Sequence, residues 1–189
     1  MSVPAASLPP GDGVRLFFAL RPPEPVREAL AAAGAVLPLA APARLVAREN
    51  YHLTIAFIGT VPVPALERVR RIGQRLRASA FTIEIDTYEF WPKPEVVVIA
   101  ARTIEPPLQA LWDALHRDLA ADGFELRAKQ LRPHVTLLRH VKQAPPLPEL
   151  RPFSWRARDL CLYRSGTVAK ESVYTVLDTW SLLDETARA

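Results

Sequence analysis

The stretch YHLTIAFIG (residues 51–59) sets a histidine and a threonine two positions apart in a run of Leu, Ile and Phe. Alternate residues of a strand share a face. His52 and Thr54 therefore point one way, and Leu53, Ile55 and Phe57 point the other, into a core. Taken alone this is ordinary strand patterning. A second stretch, RPHVTLLRH (residues 132–140), repeats the form 82 residues further on, with His134 and Thr136 on one face and Val135 and Leu137 opposite. That interval is close to half the ordered chain. It is too long for a solenoid period and suits two similar lobes facing each other.

Outward from these strands the pattern alternates in type. VRLFFAL (14–20) is a short apolar run that reads as a buried strand. RPPEPVREALAAAGAVLP (21–38) follows as a helix opened by prolines and glutamates. The strand of the first motif is expected to end at Gly59 and Pro62. A second helix then carries Leu66, Val69, Ile72 and Leu76 at helical spacing, with Arg68, Arg71 and Arg75 on a solvated basic face. FTIEIDTYEF (81–90) alternates as one half-buried strand, WPKP turns the chain, and EVVVIAART (95–103) completes a hairpin. A third helix shows Leu108, Leu111, Trp112, Leu115 and Leu119 on its apolar stripe and Gly123 as its stop, with His116 at its edge. Beyond the second motif come a proline-rich loop and two long strands, FSWRARDLCLYRS (153–165) and ESVYTVLDTWSL (171–182). The expected order, β-α-β-α-β-β-α-β-β-β, indicates an α+β fold of largely antiparallel sheet. Residues 14–183 would form a single bilobal domain, with flexible tails at 1–13 and 184–189.

The chain has 189 residues, 49% of them hydrophobic and 23% charged, which is enough for a sizeable core and is not a disordered composition. Its net charge of +4 and pI near 9.6 permit an anionic partner without specifying one. The positive charge is nearly all arginine, whose planar fork suits phosphate. The single cysteine, Cys161, excludes an intrachain disulfide and a thiolate zinc cluster, and it reads as a packing residue. No apolar run reaches membrane-helix length, and the start of the chain does not read as a signal peptide. The expectation is a cytoplasmic monomer without metal or cofactor.

Two converging His-X-Thr strands bring two imidazoles and two hydroxyls to one cleft. Imidazole exchanges protons near neutrality, so a pair supplies a general acid and a general base. The hydroxyls suit donation to non-bridging phosphate oxygens; as nucleophiles each would need its own base. In-line attack of water on a strained cyclic phosphate uses just this set and requires no metal. His140 closes the second motif strand as a structural residue.

These residues resemble the 2H phosphoesterases, which are defined by two His-X-Thr/Ser motifs, and in particular the RNA 2′,3′-cyclic phosphodiesterase and 2′-5′ RNA ligase group (LigT/ThpR). RLFFAL is similar to the first strand of that group, ENYHLTIAFIG and RPHVTLLR to its two motifs, and LCLYRSGTVAKESVYTVLDTWSL to its closing hairpin. The resemblance implies a bilobal α+β fold with a central cleft and helices outside. It also implies metal-free hydrolysis of RNA or nucleotide 2′,3′-cyclic phosphate to a 2′-phosphate. His52 would be the proton donor and His134 the proton acceptor, roles the sequence leaves interchangeable. Thr54, Thr136 and Arg139 would bind phosphate. Arg139 lies five residues after His134, so a regular strand would turn it away unless a bulge intervenes. Phe57, Arg132 and Tyr163 are candidates for the cleft rim, although strand parity places Phe57 in the core. Other activities remain open: 2′-5′ ligation of tRNA halves, hydrolysis of ADP-ribose 1″,2″-cyclic phosphate, or non-catalytic binding of RNA ends.

Overall fold

In a computed structural model of the chain, which describes residues 13–168 and 171–184, the two motif strands lie in two different four-stranded sheets. Apart from Gly13 and Asp184, the expected tails fall outside the described residues, as does the tip of the closing hairpin. The first sheet joins β1 (Val14–Leu20), β3 (Leu53–Val61), β9 (Asp159–Val168) and β10 (Glu171–Ser181) in the order β10-β9-β1-β3. The second joins β2 (Arg44–Leu45), β5 (Thr87–Trp91), β6 (Val96–Ala100) and β7 (His134–Arg139) in the order β2-β7-β6-β5. Every pairing in both is antiparallel. The α+β expectation stands. No helix among the described residues is long and apolar enough to cross a membrane.

Two expected strands are each divided. The alternating run at 81–90 breaks at Asp86 into β4 (Phe81–Ile85) and β5. The run at 153–165 breaks at Arg158 into β8 (Phe153–Ala157) and β9. β4 and β8 pair with each other in a separate ribbon, so each divided run passes from the ribbon into one of the main sheets. At the first break the Asp86 N–H donates to the Ala100 carbonyl, and its carboxylate accepts the Arg102 N–H. Period-two alternation survives such a break, because Phe81, Ile83 and Ile85 are buried whichever partner strand follows.

The helices exchange lobes. α1 (Glu24–Ala35) follows β1 in sequence but packs against β7, and the Tyr88 hydroxyl of β5 donates to its Ala33 carbonyl. α3 (Pro106–Ala121) follows β6 but packs against β3. α2 (Leu66–Arg75) lies beside α3, burying Leu66, Val69 and Ile72. This reciprocal crossing welds the lobes into one core, in which Leu16, Phe18 and Leu53 of the first sheet join Val97, Ile99 and Val135 of the second. Gly123 ends α3 with φ +83; its N–H donates to Ala120 and that of Phe124 to Leu119, which satisfies carbonyls left open by the helix end. Arg68, one of the basic residues of α2, bonds Asp122 and lies over the Phe124 ring at that same end.

Candidate active site

The register of β3 decides which of its side chains reach the cleft. Against β1, Ala19 faces Thr54, Phe18 faces Ala56, Phe17 faces Phe57 and Leu16 faces Gly59. Ile55 and Ile58 are therefore extra residues in two bulges, and both turn into the core. The first bulge reverses the parity after Thr54, so Phe57 joins the face of His52 and Thr54. It is 39% exposed, which corrects its expected place in the core. Gly59 does not end the strand. It supplies the φ of +86 at the second bulge, and β3 runs on to Val61. His116, at the inner edge of α3, brings Nε2 to 3.2 Å from the carbonyl oxygen of the bulged Ile55 and stacks on Trp112.

β7 repeats the device. Ala100 faces His134, Val98 faces Thr136, Val97 faces Leu138 and Val96 faces Arg139, leaving Leu137 as the extra residue. Leu137 is fully buried and Arg139 rejoins the motif face. In both strands the fifth residue after the histidine is thus returned to the cleft: an aromatic ring in one lobe, a guanidinium in the other.

The two histidines are held alike. His52 Nδ1 donates to the Asn50 carbonyl at 2.7 Å, and His134 Nδ1 donates to the Arg132 carbonyl at 2.6 Å. Each bond reaches back two residues, fixes the tautomer and leaves Nε2 as the ring's available nitrogen. Asn50 is anchored in turn, its side-chain amide donating to Ser172 of β10. The His52 ring lies 4.9 Å from Phe17 and 5.0 Å, edge-on, from Tyr174. Trp91 lies 4.4 Å from His134; its indole N–H donates to Glu89, which pairs with Arg132, and the Arg132 guanidinium lies over the indole at 4.0 Å.

His52, Thr54, His134, Thr136 and Arg139 line one cleft of about 980 Å³, along with Phe57. Arg15, Phe17, Trp91 and Tyr174 complete its walls, and Ser165, Thr167 and Ser172 add hydroxyls. No carboxylate is among its described lining, so the cleft is positive and rich in donors. Among the described residues, no three His, Cys, Asp or Glu side chains stand where they could hold one metal ion. Two expected rim residues lie elsewhere. Tyr163 is buried beneath Phe17, stacked at 5.0 Å, with its hydroxyl pushed up by burial. Arg132 braces Trp91 from outside. His140 turns away at φ 61, and Cys161 is buried within the first sheet, as expected of a packing residue. The sequence reading missed Arg15, Phe17, Trp91 and Tyr174. Arg15 and Phe17 alternate on β1, a signal hidden because that strand was read as buried throughout.

Burial holds both imidazoles below their ordinary range. His52 falls from 6.5 to about 4, against the pull of its Asn50 bond, with Arg139 and His134 adding repulsion. His134 is also lowered, mainly by burial and then by Arg132 and Arg139, while Glu89 acts the other way. As the pH falls, the unfolded chain therefore takes up these protons first. The stability the neutral rings contribute is intact above 6.5 and is lost as the pH falls toward 4. His52→Gln should accordingly lose less thermal stability than the wild type between about pH 7 and pH 4.5. Equal losses in scanning calorimetry would refute this.

The sequence pattern described as LigT like Phosphoesterase matches residues 20–98. Over 170 residues the chain is 31% identical to an RNA 2′,3′-cyclic phosphodiesterase of Escherichia coli, an alignment that spans 89% of this chain and 96% of the relative. The chain belongs to the LigT-like phosphoesterases. A Thermus thermophilus protein of the same description is 30% identical over 188 residues, 93% of each chain. The crystal structure of E. coli LigT complexed with NADP+ superposes with a TM-score of 0.82 at 30% identity, covering 92% of this chain and 99% of that one. The LigT-like fold thus extends across both lobes, well beyond the matched pattern.

Proposed function

We propose that this chain hydrolyses the 2′,3′-cyclic phosphate of an RNA end or a nucleotide to the 2′-phosphomonoester, with His52 as proton donor and His134 as proton acceptor. The observation that carries the reading is the pairing of two imidazoles, each with Nδ1 tied to a backbone carbonyl, in a cleft with two threonine hydroxyls, Arg139 and no carboxylate. The name shared by the relatives supports the same substrate.

Water attacks phosphorus in line with the 3′ oxygen. The new P–O bond forms as the P–O3′ bond breaks, the proton of water passes to His134 Nε2, and His52 delivers its proton to the departing 3′ oxygen. The two rings then exchange protons with solvent to restore the starting state. Thr54, Thr136 and Arg139 donate to the non-bridging oxygens as charge builds on them. The differing surroundings suit these roles. The aromatic setting of His52 makes its imidazolium ready to give up a proton, and Glu89 favours proton uptake at His134. Since one chain supplies both halves of the site, it would act as a monomer, on RNA in the cytoplasm.

Incubation with 2′,3′-cyclic nucleotides in EDTA tests the reading. Turnover should persist and yield the 2′-phosphate. Loss of turnover in EDTA would sink the metal-free route, and a 3′-phosphate product would reassign the leaving oxygen.

A further inference from the structure

Tyr174 of β10 touches the machinery of both lobes. It faces Ser165 across the β9–β10 hairpin and turns its side chain into the cleft. Its ring packs edge-on against Phe17 at 5.2 Å and against His52 at 5.0 Å, both in the first lobe. Its hydroxyl reaches the second lobe, where the Arg139 guanidinium of β7 donates to it at 3.4 Å. Among the described residues this is the one hydrogen bond that the Arg139 guanidinium makes.

Arg139 needs such a hold. It closes β7, and the next residue, His140, leaves the strand at φ 61. A long side chain at a strand end has many rotamers, and only those aimed at the phosphate serve the reaction. One of its N–H donors goes to Tyr174, which leaves the others to form a fork toward the non-bridging oxygens. The hydroxyl itself has no proton to carry in the reaction, since each of the two transfers already has an imidazole. We propose that Tyr174 is a positioning residue: from a ring seated against His52 it holds Arg139 aimed at the phosphate, so that the first lobe sets the principal donor of the second. This rests on the reading that the cleft takes the cyclic phosphate and that Arg139 binds it.

The test is a double-mutant cycle on a 2′,3′-cyclic nucleotide, comparing wild type, Tyr174→Phe, Arg139→Ala and the pair. Phenylalanine keeps the ring against Phe17 and His52 and removes only the oxygen, so the packing of the site is retained. Tyr174→Phe should lower kcat about fivefold, the scale of one hydrogen bond. KM should change less than about twofold, because a well-aimed guanidinium matters most where charge has built up. Added to Arg139→Ala, the same change should cost less than about twofold, since there is no guanidinium left to aim. A fivefold loss that persists in the Arg139→Ala background overturns the positioning role and makes the hydroxyl a substrate contact in its own right. Tyr174→Phe at the wild-type rate, or a loss confined to KM, overturns it as well. If Arg139→Ala alone matches the wild type, or if the wild type leaves the nucleotide unchanged, the reading of the cleft itself falls, and the positioning role with it.

Discussion

His52→Ala and His134→Ala should each lower kcat on a 2′,3′-cyclic phosphate by about 10²–10⁴-fold, the usual contribution of one positioned acid or base. The two variants become distinguishable when the 3′ bridging oxygen is replaced by sulfur, because a thiolate leaves without being protonated. His52→Ala should then recover most of its lost rate, and His134→Ala should recover none. Recovery in His134→Ala alone would exchange the two roles, and near-wild-type activity of either variant on the natural substrate would dismiss the pair. The pH profile supplies a second readout. Both free imidazoles lie below 6.5, so kcat/KM should peak on the acid side of that value and fall through neutrality. The limbs of the profile belong to the coupled pair and not to either ring. A peak on the alkaline side of neutrality would contradict the electrostatics of the cleft.

Arg139→Ala should cost about 10²–10³-fold in kcat/KM, the scale set by removing one preorganised donor to a developing oxyanion. Arg139→Lys should restore only part of this, because an ammonium cannot donate as a planar fork. The loss should appear in kcat as well as KM, since the guanidinium meets more charge in the transition state than in the substrate. A change confined to KM would reduce Arg139 to a ground-state contact. The prediction depends on the bulge at Leu137, which alone brings Arg139 to the side of the strand that His134 occupies.

That bulge marks where the sequence stops being readable. The alternation from His52 to Ile55 and from His134 to Leu137 was legible, because the apolar members fill a core and the polar members do not. Beyond those residues the parity argument failed for Phe57 and left Arg139 unresolved. A bulge is a count of two residues against one, and the partner strand that sets the count lies far away in the chain: β1 for Phe57, β6 for Arg139. The same reason hid the breaks at Asp86 and Arg158, where a continuous alternation passes from one sheet to another. Gly123 was read correctly as a stop because its role is local. Gly59 was misread because its role is set across strands. Trp91 was assigned to a turn and proved to stand at the end of β5, beside His134.

The position of β1 also orders the assembly of the site in time. This strand is made first, yet in the finished sheet it is enclosed between β3 and β9. The sheet that carries His134 draws on nothing beyond β7, so it can close before β9 and β10 have emerged. The sheet that carries His52 must wait for β9 and β10, the last strands to emerge. A nascent chain therefore holds the His134 half of its cleft before the His52 half, and completes the cleft only with its final strands. Released chains truncated after residue 150 should protect the amides of β6 and β7 from hydrogen exchange while those of β1 remain open.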